Sequence, residues 1–309
     1  MMTIWTALAL AAEVMIPGPK GPLAGTLLTA DGAANAPVVV VIPGSGPTDR
    51  DGNSPLGITA APYRLLAEAL AARGVSTLRI DKRGLFGSKA AADPNDVTIA
   101  AYAADTRGWA KEAARRTGRR CAWLLGHSEG GLVALQAAQD PRGICGVVLV
   151  AAPGRATGQV MRDQLRANPA NAPILAPALA AIDALEAGRR VDPATLPAPL
   201  PMLFPAAVQG YLIDVFAHDP PRLAASLKVP LLIVQGDRDL QVGVADAERL
   251  ARAAPSARLA ILPGVNHVLK RVATDDRAAN MALYRDASVP VDPALVAAIV
   301  SMVTAPARE

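Results

Sequence analysis

Ser128 lies at the centre of a Gly-His-Ser-Glu-Gly pattern over residues 126–130, which has the form Gly-x-Ser-x-Gly. An apolar run at residues 121–125 predicts a strand before it, and small residues at 131–139 predict a helix after it. A sharp turn between the two strains the serine backbone and projects the hydroxyl above the sheet, near a helix N-terminus that favours negative charge. The pattern predicts a nucleophilic serine; a structural turn with a capping serine is the alternative.

A serine hydroxyl needs a general base to become nucleophilic, and the chain has three histidines. His127 adjoins Ser128 and is predicted to pack or hydrogen-bond beneath the turn. His218 precedes the last strands. His267 follows the predicted strand at residues 258–262, and nucleophile, acid and base occur in that chain order in one large group of serine hydrolases. His267 is therefore the predicted base, with a loop-stabilising role as the alternative.

Two carboxylates could orient this imidazole and stabilise its protonated form. Asp237 and Asp239 both follow directly after the predicted strand at residues 229–235. Both would therefore lie at the C-terminal edge of a parallel sheet, where Ser128 is also expected. The spacing leaves both open as the acid, and the other would form a turn or a salt bridge.

A tetrahedral intermediate needs hydrogen-bond donors for its oxyanion. One predicted donor is the backbone N–H of Glu129, directly after the nucleophile. The other is expected from the loop after the strand at residues 38–42, where small residues let the backbone approach a substrate. Ser45 is the preferred residue and Gly46 the alternative.

Short aliphatic runs alternate with helical patterns, which predicts a parallel sheet with right-handed crossovers and helices on both faces. Predicted strands lie at residues 22–29 (an edge strand), 38–42, 75–80, 121–125, 146–150, 229–235 and 258–262, and predicted helices at 62–72, 99–116, 131–139, 244–253 and 293–303. No aliphatic strand pattern occurs in residues 154–227, which include a helical stretch at 178–190. The predicted organisation is an α/β core (1–153 and 228–309) with a helical cap insertion (154–227).

Composition narrows the class of protein. The 309 residues are 51% hydrophobic and carry a net charge of +4 without a basic run, which argues against nucleic acid as a partner. Residues 4–12 resemble the apolar part of a signal peptide but lack a preceding Lys or Arg, so a soluble protein, cytoplasmic or exported, is expected without stable membrane insertion. Cys121 and Cys145 are predicted to be small core hydrophobes rather than a disulfide or metal ligands.

The chain resembles the bacterial serine esterases of the α/β-hydrolase superfamily, and most closely a subgroup with a Ser-Gly-Pro-Thr-Asp-Arg-Asp-Gly-Asn loop. That loop is residues 45–53 here, and further matching segments are 81–84, 126–131 and 235–242. In this superfamily the acid usually lies three residues after a strand-ending glycine, which favours Asp239 over Asp237. The resemblance implies an α/β-hydrolase fold.

The resemblance also implies hydrolysis of carboxylic esters without a metal or organic cofactor, with a small-molecule ester as the substrate. The apolar cap suits small or medium acyl groups. A peptidase or amidase with the same triad and a non-catalytic binding protein on this fold are the alternatives. Asp49, Arg50 and Asp51 are predicted to form an internal network that holds the oxyanion loop, with substrate contact as the alternative. Arg83 is predicted to give structural support near the site.

Overall fold

The computed structural model describes residues 11–30 and 36–305. Eight strands form one sheet in the order β1-β2-β4-β3-β5-β6-β7-β8. The strands are β1 (Ala11–Ile16), β2 (Leu23–Leu28), β3 (Val38–Ile42), β4 (Ser76–Ile80), β5 (Ala122–His127), β6 (Ile144–Val150), β7 (Leu231–Gly236) and β8 (Arg258–Leu262).

Strands β3 to β8 run parallel to one another, whereas β2 pairs antiparallel with both β1 and β4. The predicted mostly parallel sheet is confirmed. The prediction that residues 22–29 form an edge strand is wrong, because β1 covers β2 on its outer side. Val14 and Ile16 are the only buried positions of β1, so buried and exposed residues alternate only briefly in this strand. The apolar run at residues 4–12 obscured this alternation in the sequence. Residues 4–10 of that run lie outside the described residues.

Helices cover both faces of the sheet. They are α1 (Pro62–Ala71), α2 (Ile99–Arg116), α3 (Gly130–Ala137), α4 (Thr157–Ala167), α5 (Leu175–Glu186), α6 (Leu200–Leu203), α7 (Gln209–Phe216), α8 (Pro220–Ala225), α9 (Val244–Ala253), α10 (Arg277–Ala282) and α11 (Pro293–Val303). One face packs against α1 and α11, and the other against α2, α3 and α9. Because both faces are covered, the central strands are continuous apolar runs rather than alternating ones.

The chain between β6 and β7 contains helices α4 to α8 and no strand. Phe204 and Phe216 in this segment are buried in the larger hydrophobic cluster, together with side chains of α3 and α9. The segment is therefore packed onto the sheet's helical layer. Its division from the rest as a cap, with boundaries at 154 and 227, stays a prediction. No helix in the described part of the chain is both long and apolar enough to cross a membrane.

Cys121 and Cys145 form a disulfide, so the prediction that they are unlinked core residues is wrong. They are 24 residues apart in sequence, but β5 and β6 are parallel neighbours and α3 returns the chain to the same end of the sheet. Their Cα atoms lie 5.2 Å apart, within the range that a disulfide requires. The register between β5 and β6 brings the two cysteines together, and this register cannot be read from the sequence. The bond lies at the N-terminal end of β5, opposite the end that carries Ser128.

We expect reduction of this disulfide, or the Cys121→Ala/Cys145→Ala variant, to lower the free energy of unfolding by about 3 kcal/mol, since the cross-link restricts the unfolded chain. The melting temperature with and without dithiothreitol measures the effect. The double variant is the control, because reductant should not change its melting temperature. A wild-type melting temperature that is unaffected by complete reduction would contradict the prediction.

Candidate active site

Ser128 forms the turn between β5 and α3, with its backbone in the left-handed region at φ 54°. This conformation costs a residue other than glycine about 1–2 kcal/mol, so its surroundings must hold it. Its N–H donates to the carbonyl oxygen of Val150 at 3.0 Å. Gly130 allows α3 to approach the loop after β3, because a Cβ there would lie 2.4 Å from the carbonyl oxygen of Ile42. The turn thus presents Ser128, half-buried, at the C-terminal edge of the sheet.

His267 and Asp239 form a buried pair at the same edge. Asp239 follows β7, His267 lies in the loop after β8, and Asp239 Oδ2 is 2.7 Å from His267 Nδ1. Asp239 Oδ1 accepts the N–H groups of Gln241 and Val242 at 2.7 and 2.9 Å. Burial alone would raise the pKa of Asp239, but the charge of His267 and these hydrogen bonds outweigh it and lower that pKa. An ionised Asp239 accepts a hydrogen bond from the Nδ1–H of His267, which leaves Nε2 of the ring available as an acceptor.

The structure brings Asp239, and not Asp237, to the imidazole. Asp237 is exposed, and its Oδ1 accepts the backbone N–H of Gly264 at 2.6 Å. This contact joins the end of β7 to the loop that carries His267. The sequence predicts a turn or a salt bridge for the carboxylate that does not orient the imidazole. Asp237 has this turn-forming position.

His127 is fully enclosed beneath the turn. Its Nδ1 lies 2.8 Å from the Tyr63 hydroxyl, and its Nε2 lies 2.9 Å from the carbonyl oxygen of His267. A carbonyl only accepts, so Nε2 carries the proton and Nδ1 accepts from Tyr63. Burial, and then the charge of His267, lower the pKa of His127 to about 3. The neutral ring therefore joins α1, the Ser128 turn and the His267 loop, as its predicted role beneath the turn requires.

His267 lies beside the Ser128 turn, since its ring centroid is 4.7 Å from that of His127. Within residues 11–30 and 36–305, no hydrogen bond joins the Ser128 hydroxyl to the His267 ring. Such bonds are often long in unliganded enzymes and tighten when substrate binds. His218 lies elsewhere, in the segment between β6 and β7, where its Nε2 is 3.7 Å from Asp214 Oδ2.

The loop after β3 lies against the serine turn. A Cβ on Gly44 would lie 3.2 Å from the Cβ of Ser128, so this loop and the nucleophile are in direct contact. In the described part of the chain, the N–H groups of Ser45, Gly46 and Glu129 donate no hydrogen bond. The Ser45 carbonyl accepts the Thr48 hydroxyl at 2.9 Å, which closes the loop on itself. The predicted oxyanion donors are therefore uncommitted, and both predicted alternatives in this loop remain open.

The charged residues of the following loop form the internal network that the sequence predicts. Asp49 Oδ1 accepts the N–H of Asp51 at 2.9 Å, and the Asp51 carboxylate pairs with Arg79. Arg50 Nε donates to Asp81 Oδ2 at 2.9 Å, and the Arg50 N–H donates to Asp81 Oδ1 at the same distance. These contacts attach the loop to β4 and its end. They confirm the prediction of a supporting network.

Sequence reasoning missed two residues that hold Gly44. Tyr63 accepts the N–H of Gly44 at 3.1 Å, and Lys82 Nζ donates to its carbonyl oxygen at 2.6 Å. A charged residue just after a buried strand was the available signal for Lys82. Its neighbour Arg83 turns away and makes two hydrogen bonds of 2.6 and 2.5 Å to Asp105 on α2, which agrees with a supporting role. No cluster of metal-binding side chains occurs among the described residues.

Comparison with known proteins agrees with this architecture. A model of the alpha/beta hydrolase family matches residues 39–282. Esterase EstD from Thermotoga maritima is 27% identical over 254 residues, which are 80% of this chain and 58% of EstD. The chain therefore spans little more than half the length of that relative.

Two solved structures have a similar fold. Est1E from Butyrivibrio proteoclasticus, solved with ferulic acid bound, has a TM-score of 0.58 at 18% identity, and the match covers 88% of this chain and 96% of Est1E. A hydrolase from Pseudomonas aeruginosa has a TM-score of 0.53 at 22% identity, with 95% of this chain and 98% of that chain covered. At these identities the likeness concerns the fold.

The neutral state of His127 predicts an acid-sensitive fold. Above about pH 6.5 the ring is uncharged in both folded and unfolded chains. Below that pH the His127 ring binds a proton in the unfolded chain, whereas in the folded chain it binds one only near pH 3. The free energy of unfolding should therefore fall by about 1.4 kcal/mol per pH unit from this group alone as the pH drops from 6 to 4.

Urea unfolding at pH 7, 6 and 5 measures this slope, with His127→Gln as the comparison. A glutamine amide can still donate to the His267 carbonyl but does not titrate. The variant should lose stability less steeply on acidification than the wild type. Parallel slopes for the two proteins would contradict the prediction.

Proposed function

Because the chain belongs to the alpha/beta hydrolase family, we propose that it is a serine hydrolase that cleaves carboxylic esters through a Ser128–His267–Asp239 triad. The observation that carries the proposal is the 2.7 Å contact between Asp239 and His267 beside the strained Ser128 turn. The name of the relative EstD and the Ser45–Asn53 loop sequence support an ester substrate and a place among the esterases with this loop.

The proposed reaction has two half-reactions. His267 Nε2 removes the proton as the Ser128 hydroxyl attacks the ester carbonyl, and the N–H groups of Glu129 and Ser45, with Gly46 as the alternative to Ser45, bind the oxyanion. The protonated His267 then gives its proton to the leaving alcohol, and an acyl-serine remains. Water, deprotonated by His267, releases the acid and restores Ser128. Asp239 orients the imidazole throughout.

The surroundings favour apolar acyl groups of small or medium size. Leu56, which is 79% exposed, approaches Gly46, and Leu240, 41% exposed, follows Asp239 directly. Tyr211 of the segment between β6 and β7 faces Tyr102, with ring centroids 6.1 Å apart, next to Glu129. These side chains supply apolar and aromatic surface next to the proposed oxyanion donors and Asp239. Phe204 and Phe216 are buried and are not part of the proposed pocket.

Replacement of Ser128 by alanine should lower kcat/KM for p-nitrophenyl acetate by at least about 10³-fold, because no other nucleophile lies at the turn. A fluorophosphonate probe should label the wild type and not this variant. Near-normal hydrolysis by Ser128→Ala would reject the mechanism, and failure to label an otherwise folded wild type would favour a non-catalytic binding protein.

The two neighbouring aspartates provide a matched pair for the acid. Asp239→Asn should lower kcat by about 10²-fold to 10⁴-fold, since the amide favours the wrong imidazole tautomer. Asp237→Asn should reduce stability through its contact with Gly264 but leave kcat within about threefold. Equal losses of kcat in the two variants would contradict the assignment of Asp239.

The substrate class is tested with matched leaving groups. We expect p-nitrophenyl esters with two to six acyl carbons to be cleaved with kcat/KM at least about 100-fold above that for aminoacyl p-nitroanilides, because amide cleavage demands more from leaving-group protonation. The Ser128→Ala variant controls for spontaneous hydrolysis. Faster cleavage of the anilides would favour the peptidase or amidase alternative.

A further inference from the structure

Lys82 is a buried cation that the proposed mechanism does not use. It follows β4 by two residues, and its side chain is 6% exposed. Its Nζ donates to the carbonyl oxygen of Gly44 at 2.6 Å and lies 4.0 Å from Glu129 Oε1. The Tyr102 ring covers it, with the ring centroid 5.7 Å from Nζ. Burial lowers the pKa of Lys82, and the charge of Glu129 opposes that shift.

The peptide that Lys82 binds is the one that contains the Ser45 N–H. A trans peptide is planar, and its C=O and N–H point in opposite directions. A donor that fixes the Gly44 carbonyl oxygen therefore also fixes the direction of the Ser45 N–H. The preceding peptide is held as well, because the Gly44 N–H donates to Tyr63 at 3.1 Å. The peptides on both sides of Gly44 are thus held by hydrogen bonds. The Ser45 N–H donates no hydrogen bond in the described part of the chain, and it follows directly after Gly44, which contacts Ser128.

We propose that Lys82 is a positioning residue for the oxyanion hole, which aims and polarises the Ser45 N–H by binding the carbonyl at the other end of the same peptide. This inference rests on the proposed esterase mechanism. A cationic donor on the carbonyl oxygen draws electron density from the amide and makes its N–H a stronger donor. The gain is realised when negative charge develops on the substrate oxygen, so it should affect kcat more than KM.

Glu129 completes the arrangement. Its backbone N–H is the other proposed oxyanion donor, and its carboxylate, 9% exposed, faces Lys82. The two donors are therefore linked through one buried ion pair as well as through the chain. A competing explanation is that Lys82 only balances the buried charge of Glu129 and contributes to folding. The two explanations differ in what happens when both charges are removed.

The test is a double-mutant cycle of Lys82→Met, Glu129→Gln and the two combined, since methionine keeps the length of the side chain without the donor and glutamine keeps the backbone N–H. Arg162→Met is the matched control, because it removes another cation of low exposure, 15%, whose partners Asp183 and Glu186 are on α5. For each protein, kcat and KM for p-nitrophenyl acetate, the inhibition constant of an aryl trifluoromethyl ketone and the melting temperature are measured. The trifluoromethyl ketone forms a tetrahedral oxyanion on the serine.

We expect Lys82→Met to lower kcat about 10-fold to 100-fold with KM within about threefold. The Ser45 N–H would still be present in this variant, but it would no longer be held in the direction of the oxyanion. The inhibition constant of the trifluoromethyl ketone should rise by the same factor as kcat/KM falls. The double variant Lys82→Met/Glu129→Gln is compared with Glu129→Gln alone. Its melting temperature should be restored to that of Glu129→Gln, but its kcat should stay lower. Arg162→Met should lose stability with kcat within about twofold.

Recovery of kcat in the double variant, or wild-type kcat in Lys82→Met, would overturn the proposal. If Lys82→Met does not fold, the double variant compared with Glu129→Gln supplies the same kinetic measurement, because it leaves no unpaired buried charge. Failure of the esterase mechanism is a separate outcome: the wild type would then be inactive on the ester or Ser128→Ala would remain active.

Discussion

The site depends on the two hydrogen bonds that the imidazole of His127 makes. Its two ring nitrogens bind Tyr63 on α1 and the main chain of His267, and the next residue is Ser128. Tyr63 in turn accepts the N–H of Gly44, so one buried hydrogen-bond chain crosses from the loop after β3 to the loop after β8. Every donor in this chain has one acceptor, which fixes its direction and the tautomer of the ring. Three segments that are distant in sequence thereby share one geometry.

Much of the fold and the triad could be predicted from sequence because the signals are local. The Gly-x-Ser-x-Gly turn, the aliphatic strands and the residues that directly follow them depend on neighbours within a few positions. Asp239 needed more, since the spacing leaves Asp237 equally open. The family resemblance favours Asp239, and the contacts of the two carboxylates with His267 and Gly264 distinguish them. Pairing between distant elements could not be predicted from the sequence. The Cys121–Cys145 disulfide depends on strand register, and the outer position of β1 depends on the order of the strands in the sheet.

Support for the loops comes largely from charged groups that are removed from water. Arg79 and Asp81 are almost fully enclosed, and each pairs with a residue of the loop that follows the oxyanion segment. Buried ion pairs contribute little net stability compared with apolar packing, but loss of one partner is costly. These pairs are therefore better understood as fixing one loop conformation than as stabilising the fold. Sequence reasoning identified this network because its charges are clustered in one short stretch.

The helices between β6 and β7 enter and leave the sheet at two strands that are direct neighbours. Because the entry and exit points are adjacent, this segment can lengthen, shorten or be exchanged without altering the pairing of any strand. Only the faces of α2, α3 and α9 that it covers would need to adapt. Insertion and deletion at this single place in the chain can therefore change the helices between β6 and β7 while the sheet and the residues at its C-terminal edge stay unchanged.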